Sequence, residues 1–367
     1  MGGKNSCFRI SLVSGLLGIS LGASALGPAD IHSEIQQSLQ VHSQAQDFHD
    51  WADSAHTPEK LFTKWMREPN LQQLAAVVCS QLAQLSDTEL SLFQDAIETH
   101  PFAAHLRCKD SVLEKVLIFF DSARNSIVDR LPAIPQTIGR DGQPAQPPTL
   151  GPSLEMDIKT DAGPVYFNAD LDKKYIAFTF DDGPHSRNTQ ELLSVLAQEQ
   201  VQATFFMVGK NVRALPQIVK EVARDGHSVG NHTWSHKNLH KTGFDGGTQE
   251  IMDGFQAIWD VLGYSHPFFR FPFGNRTDDL QKFVKANQFG TFFWNIDTLD
   301  WKYKDPDFLY DYALKQIENQ GRGIVLFHDI QPQTIVVMPM LLHTLKAKGY
   351  MPVVFRSPEI RPQLPRP

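Results

Sequence analysis

The chain has no excess of basic residues: 34 Lys and Arg stand against 41 Asp and Glu, a formal net charge of -7 with a pI near 6.0. That balance offers no electrostatic footprint for nucleic acid or anionic membranes, which leaves neutral or cationic partners. Long hydrophobic runs are also lacking. The apolar stretch from Ile10 to about Leu21 is short for a membrane-spanning helix, so no integral membrane segment is expected in the mature chain. Cysteine is scarce, three in 367 residues, and Cys7 precedes the apolar stretch, so there is no lipobox-like cysteine. An HExxH sequence is absent, which removes the usual pattern of zinc proteases. What remains is 41% hydrophobic and 20% charged, the composition of a globular protein with a sizeable core and two domains.

The first 25 residues read as an export signal. Lys4 and Arg9 give the positive start, the apolar stretch follows, and Ala23-Ser24-Ala25 supplies a small-residue cleavage site. The mature chain would then begin near Leu26 and reside in the periplasm or be secreted. A myristoylation pattern at Met1-Gly2 with Ser6 competes with this reading but leaves the apolar stretch unexplained. Cleavage discards Cys7 and leaves Cys79 and Cys108, expected as one disulfide, with two buried thiols as the alternative.

Residues 26–131 show apolar residues at three- and four-residue spacing, as at Leu71, Leu74, Val77 and Val78, and Ser86 with Glu89 forms a candidate capping box. They predict a helical domain whose scattered histidines form no catalytic pattern. Residues 132–165, rich in Pro, Gly and Gln near their start, read as a linker. From 166 to 357 strand-like and helix-like stretches alternate about seven times, and the tail 358–367 reads as disordered. Such alternation argues for a parallel sheet, open and doubly wound or closed as a (β/α) barrel.

In either architecture reactive residues gather where strands end at their carboxyl side. Polar residues fall there: Asp181 and Asp182 after 175–180, His232 and His236 after 227–231, Arg270 within 267–271, Asp297 and Asp300 after 291–296, His328 and Asp329 at the end of 323–328. Two histidines four apart share one face of a helical turn, a weak signal alone. Joined by a carboxylate from another strand they become a two-His, one-carboxylate site suited to catalytic zinc or to non-haem iron.

The blocks "TFDDGP", "HTWSH", "RFPFG" (Arg270 to Gly274), "DTLDW" (Asp297 to Trp301) and "LFH" (Leu326 to His328) resemble, in order, the five motifs of the polysaccharide deacetylase family, the NodB-homology or carbohydrate esterase 4 group. The resemblance implies a distorted (β/α) barrel of about seven parallel strands, here preceded by the small helical domain. It implies an N-deacetylase acting through metal-activated water, with Asp182, His232 and His236 as metal ligands. By the same resemblance Asp181 is the general base, Arg270 orients it, and the backbone N–H of Phe273 is the oxyanion donor, where the family commonly has Tyr. His328 is the general acid, Asp300 orients it, and Trp301 and Leu326 form the groove wall beside the acetyl methyl. Asp297 is read as supporting the Asp300 turn, and His185 as lining the rim without ligating.

The cofactor implied is one divalent ion, with zinc first and cobalt, nickel or manganese as alternatives. The leading substrate is the N-acetylglucosamine of peptidoglycan, a cell-wall polysaccharide. Chitin or chitooligosaccharide and acetylated xylan follow. A catalytically silent wall-binding protein is a second class, and an iron oxygenase a third that leaves Asp181, Arg270 and His328 unexplained together.

Overall fold

The computed structural model describes residues 26–45, 51, 54–129 and 153–358. The expected export signal, the Pro-rich part of the expected linker and residues 359–367 lie outside them. No described helix is long and apolar enough to cross a membrane.

Among the described residues ten strands form one sheet: β1 Leu154–Asp157, β2 Val165–Tyr166, β3 Tyr175–Asp181, β4 Thr204–Met207, β5 Ser228–Asn231, β6 Phe268–Phe269, β7 Gly290–Phe292, β8 Ile296–Asp297, β9 Gly323–His328 and β10 Met351–Arg356. Every ladder is parallel, in the order β1-β10-β3-β4-β5-β6-β7-β2, with β9 pairing both β3 and β8. Helices such as Asn188–Gln198, Gly243–Leu262 and Pro332–Ala347 connect the strands. The ring is a distorted barrel, since no ladder among the described residues joins β7 to β8.

Alternation along β3 positions the site. Ile176, Phe178 and Phe180 pack outward against the helices, in a core with Leu192, Leu196 and Met338. Ala177 packs inside the barrel with Phe206, Phe268, Phe292 and Phe355. Side chains two apart share a face, so Thr179 and Asp181 follow Ala177 inward. Asp181 lies level with His328 of β9 across the ladder.

Two departures from the sequence reading have local causes. β1 lies inside the segment read as linker: "LEMD" alternates apolar and polar residues, but it is a four-residue edge strand, largely exposed and laddered among the described residues to β10, and it follows directly on the Pro-rich stretch. The stretch 291–296 divides into β7 and β8 because the Asn295 side chain replaces the ladder. Its Oδ1 accepts from Ile324 N at 2.9 Å and its Nδ2 donates to Arg322 O at 3.0 Å. Only glycine fits beside it, since a Cβ on Gly323 would lie 1.9 Å from Asn295 Oδ1.

The described residues between 28 and 129 form helices, including Pro28–Gln44, Pro58–Trp65, Leu71–Leu82, Gln94–Thr99 and Lys109–Asp129. The capping box closes as expected, with Ser86 N donating to Glu89 Oε2 at 2.9 Å and Glu89 N to Ser86 Oγ at 3.3 Å. This layer does not stand apart from the barrel. Ile31, Phe62, Trp65, Phe93 and Phe102 share one core with Leu309, Val336, Val337 and Met340 of the barrel helices.

Cys79 and Cys108 form the expected disulfide, with sulfurs 2.11 Å apart across a separation of 29 residues. Closing a loop of that size restricts the unfolded chain by about 3–4 kcal/mol in the chain-entropy account. Replacing both cysteines with serine is therefore expected to lower the thermal midpoint by several degrees. Calorimetry of the oxidised protein and the double variant checks this, and equal midpoints would remove the disulfide from the stabilising contacts.

Candidate active site

The acids Asp181 and Asp182 escape strand alternation because the strand stops between them. Asp181 is the last residue of β3, and Asp182 adopts a left-handed backbone, φ 77°, which turns its side chain away from the pleat. Three more non-glycine residues of the site share that region: Thr233 at 69°, His236 at 58° and Phe273 at 60°. Such conformations cost about 1–2 kcal/mol each and persist only where surrounding bonds enforce them. At Thr233 and His236 those bonds are Thr233 N to Asn231 Oδ1 (2.9 Å) and His236 N to Thr233 Oγ1 (3.1 Å).

Asp182, His232 and His236 converge. One ligand atom from each lies within 4.8 Å of the others, and they are the group among the described residues that could hold a metal ion. Asp182 Oδ1 lies 3.0 Å from His236 Nε2 and 3.5 Å from His232 Nε2. It is buried and receives no hydrogen bond. Burial pushes the Asp182 carboxyl up, but His236, His328 and His232 outweigh it and hold the group below the ordinary carboxylate range. His232 Nδ1 faces Arg270 O at 2.8 Å; with Nδ1–H donating there, Nε2 presents its lone pair to the site. Burial and the neighbouring His236 push His232 down to about 3, so the ring is neutral and competent to ligate. A buried, orphaned carboxylate oxygen beside two imidazoles fits a divalent cation.

Asp181 has a different setting. Its Oδ1 accepts from Arg270 Nη1 at 2.6 Å, and its Oδ2 lies 3.6 Å from His232 Nε2. Arg270 is fully buried and fixed on every side, donating to Thr179 Oγ1 (2.9 Å), Phe292 O (3.2 Å) and Phe293 O (3.1 Å), with its guanidinium 4.2 Å from the Phe206 ring centre. Burial raises the Asp181 carboxyl more than Arg270 and His328 lower it, and it settles at about 6. The arginine thus holds Asp181 ionised at neutral pH without carrying it to the low end of the range.

Across β3, His328 Nδ1 meets Asp300 Oδ1 at 2.7 Å, and Asp300 Oδ2 accepts from His328 N (2.7 Å) and Thr334 Oγ1 (2.6 Å). Burial lowers His328, but Asp300, Asp182 and Asp181 together raise it to about 10, so it is an imidazolium at neutral pH. Asp297 turns the chain ahead of Asp300, its Oδ1 accepting from Leu299 N at 2.9 Å.

A cavity of about 530 Å³ opens onto Asp182, His236 and Trp301. Leu326 is buried two residues before His328, and the Phe273 ring sits edge-on to His236 with centres 4.6 Å apart. The ten residues given catalytic, metal-binding or groove-wall roles by the resemblance thus lie on or beside one rim. His185 stands at the rim, its Nε2 3.4 Å from Glu98 Oε2. The sequence reading passed over Thr179, although its two-residue spacing from Asp181 placed it on the same face. It also passed over Thr334, and over Trp51, Glu59 and Asp95 of the helical layer, which line the cavity and carry no local signal.

Comparison with known proteins agrees with this arrangement. A family model described as polysaccharide deacetylase matches residues 168–291. A peptidoglycan-N-acetylglucosamine deacetylase of Bacillus cereus is 35% identical over 211 residues, covering 54% of this chain and 74% of that relative. The chain belongs to the polysaccharide deacetylase family. The deacetylase is also 35% identical over 179 residues to a peptidoglycan-N-acetylglucosamine deacetylase of Listeria monocytogenes, covering 48% of this chain and 37% of that one. A solved structure of a Bdellovibrio bacteriovorus peptidoglycan deacetylase matches with a TM-score of 0.77 and 32% identity, over 90% of this chain and 96% of that one. That coverage exceeds what the barrel alone accounts for, so the likeness extends into the helical layer of the deacetylase.

Proposed function

We propose that this deacetylase is a metal-dependent hydrolase that removes N-acetyl groups from N-acetylglucosamine residues of peptidoglycan and releases acetate. The observation that carries the reading is the opposition of an ionised carboxylate, Asp181, and an imidazolium, His328, on either side of the Asp182–His232–His236 cluster. The names of the relatives support the polymer, and the disulfide supports an exported protein in an oxidising compartment, periplasmic or secreted.

Asp182, His232 and His236 would hold the ion, with zinc preferred for a nitrogen-rich site. A divalent cation supplies a Lewis acid that polarises the acetyl carbonyl and lowers the pKa of a water. The side chains do the rest. Asp181, held by Arg270, takes the proton of the attacking water as its oxygen bonds to the carbonyl carbon. The Phe273 N–H donates to the developing oxyanion, a contribution of about 2.7–4 kcal/mol for one such donor. His328 gives its proton to the amide nitrogen as the C–N bond breaks, because an amine leaves poorly unprotonated. Asp300 binds Nδ1 and so leaves the Nε2 proton available for that transfer. Trp301 and Leu326 wall the site on the side of the acetyl methyl.

Acetate release from peptidoglycan, chitooligosaccharides and acetylxylan tests this reading. Release is expected to be fastest from peptidoglycan, to stop after dialysis against a chelator and to return with about one equivalent of zinc. Faster release from chitooligosaccharides would replace the polymer, and activity that survives complete metal removal would remove the metal from the reaction.

A further inference from the structure

The cavity at the metal cluster is only partly built by the barrel. Its far wall comes from the helical layer, through Trp51, Glu59 at the start of Pro58–Trp65 and Asp95 at the start of Gln94–Thr99. The barrel side of the same lining contributes Lys304 and His185 from loops and Lys210 from the helix Gly209–Ala214. These charges sense one another: Asp95 feels His185, Lys304, Glu59 and Glu98, and Lys304 feels Asp95, Asp300 and Glu59. Yet Lys304 Nζ makes its hydrogen bond at 2.5 Å to the neutral Gln331 Oε1, and Glu59 is exposed to the cavity. Burial raises Asp95 to about 6 and lowers Lys304 to about 8, so both remain charged at neutral pH.

A neutral polysaccharide gives such a wall little. Sugar hydroxyls displacing water from partly buried carboxylates and an ammonium leave each charge less well solvated than before. A ligand that brings its own ammonium and carboxylate groups offsets that loss with charge-assisted hydrogen bonds. The same cavity of about 530 Å³ is lined both by Asp182 and His236 and by Glu59, Asp95, Lys304 and Lys210.

We propose that the helical layer forms a second subsite, in which Glu59 and Asp95 on one side and Lys304 and Lys210 on the other bind a zwitterionic substituent of the polymer, of the class of the lactyl-linked peptide of peptidoglycan. This rests on the deacetylation reading for its substrate and adds the part of that substrate which the barrel does not read. Trp51 closes the subsite toward the reaction centre, packed in one small cluster with Ala45 and Trp301. The helical layer is thereby a specificity element as well as a packing partner.

The test compares glycan strands of equal length with their peptides intact and with the peptides removed by an amidase. The wild type is expected to show about tenfold higher kcat/KM on the peptide-bearing strands, with the difference in KM. In the double variant Glu59→Gln/Asp95→Asn that ratio is expected to fall close to one. Equal kcat/KM of the wild type on both strands would overturn the subsite, as would a double variant that keeps the tenfold preference. Calorimetric binding of the same strands to Asp181→Asn protein needs neither turnover nor the double variant to fold. There, tighter binding of peptide-bearing strands is expected, and equal affinities overturn the proposal. If no strand releases acetate from the wild type while peptide-dependent binding persists, the deacetylation reading fails and the subsite stands.

Discussion

Asp181→Asn is expected to lower acetate release by about 10²–10⁴-fold, the usual contribution of a positioned base, while the protein retains its metal. The substitution keeps the shape and leaves an amide oxygen to accept from Arg270, so the buried guanidinium keeps its partner at Oδ1. What is lost is the proton acceptor at Oδ2, the oxygen that faces the cluster beside His232. Asp182, by contrast, supplies the orphaned oxygen between the two histidines. Metal analysis and single-turnover acetate release on the same preparation separate the two acids. A variant that loses metal along with activity would make Asp181 a ligand, and a fully active variant would remove it from the reaction. The setting of Asp181 near 6 also predicts an acid limb: as pH falls through that region the base takes up a proton and the rate falls with it.

Much of this site was legible because a parallel sheet gathers strand ends on one side. Acids, imidazoles and the arginine each follow a strand-like run, and sequence spacing alone places them on a common rim. Thr179 was equally accessible, since period two puts it beside Asp181. The rest depends on pairing between distant segments. Thr334 reaches Asp300 from the first turn of the helix after β9, and nothing near either residue announces the bond. Glu59 and Asp95 belong to helices whose local pattern reports only amphipathicity. That these two residues line the cavity with Asp182 and His236 is decided by the core that Phe62, Trp65 and Phe93 share with Leu309 and Val337. The edge strand β1 escaped detection for a different reason: its alternation runs for only four residues beside a Pro-rich stretch, too short a pattern to stand out.

Asp300→Asn should be nearly as damaging, and its effect is distinguishable from a structural one through pH. In the wild type Asp300 is the largest influence raising His328, against a burial penalty that by itself would drive the imidazole below its ordinary value. The imidazolium therefore persists until pH approaches about 10, and the proton needed by the departing amine is present across the neutral range. Removing the charge lets burial weigh more heavily, so the His328 pKa falls and the alkaline limb of the rate moves down by several pH units. The asparagine also offers one acceptor where the carboxylate serves His328 Nδ1, His328 N and Thr334 Oγ1, so the ring loses orientation as well as charge. Together these predict a rate loss of about 10²–10⁴-fold at pH 8 that shrinks as pH is lowered. The sign for stability follows from the same shift. A histidine whose folded pKa is raised stabilises the fold fully below its unfolded value, near 6.5, and that contribution is lost as pH rises through about 10. Wild-type thermal midpoints should fall over that window, and those of Asp300→Asn should fall less. A variant whose activity drops equally at every pH, with the alkaline limb unmoved, would make Asp300 a scaffold for the loop rather than the residue that keeps His328 charged.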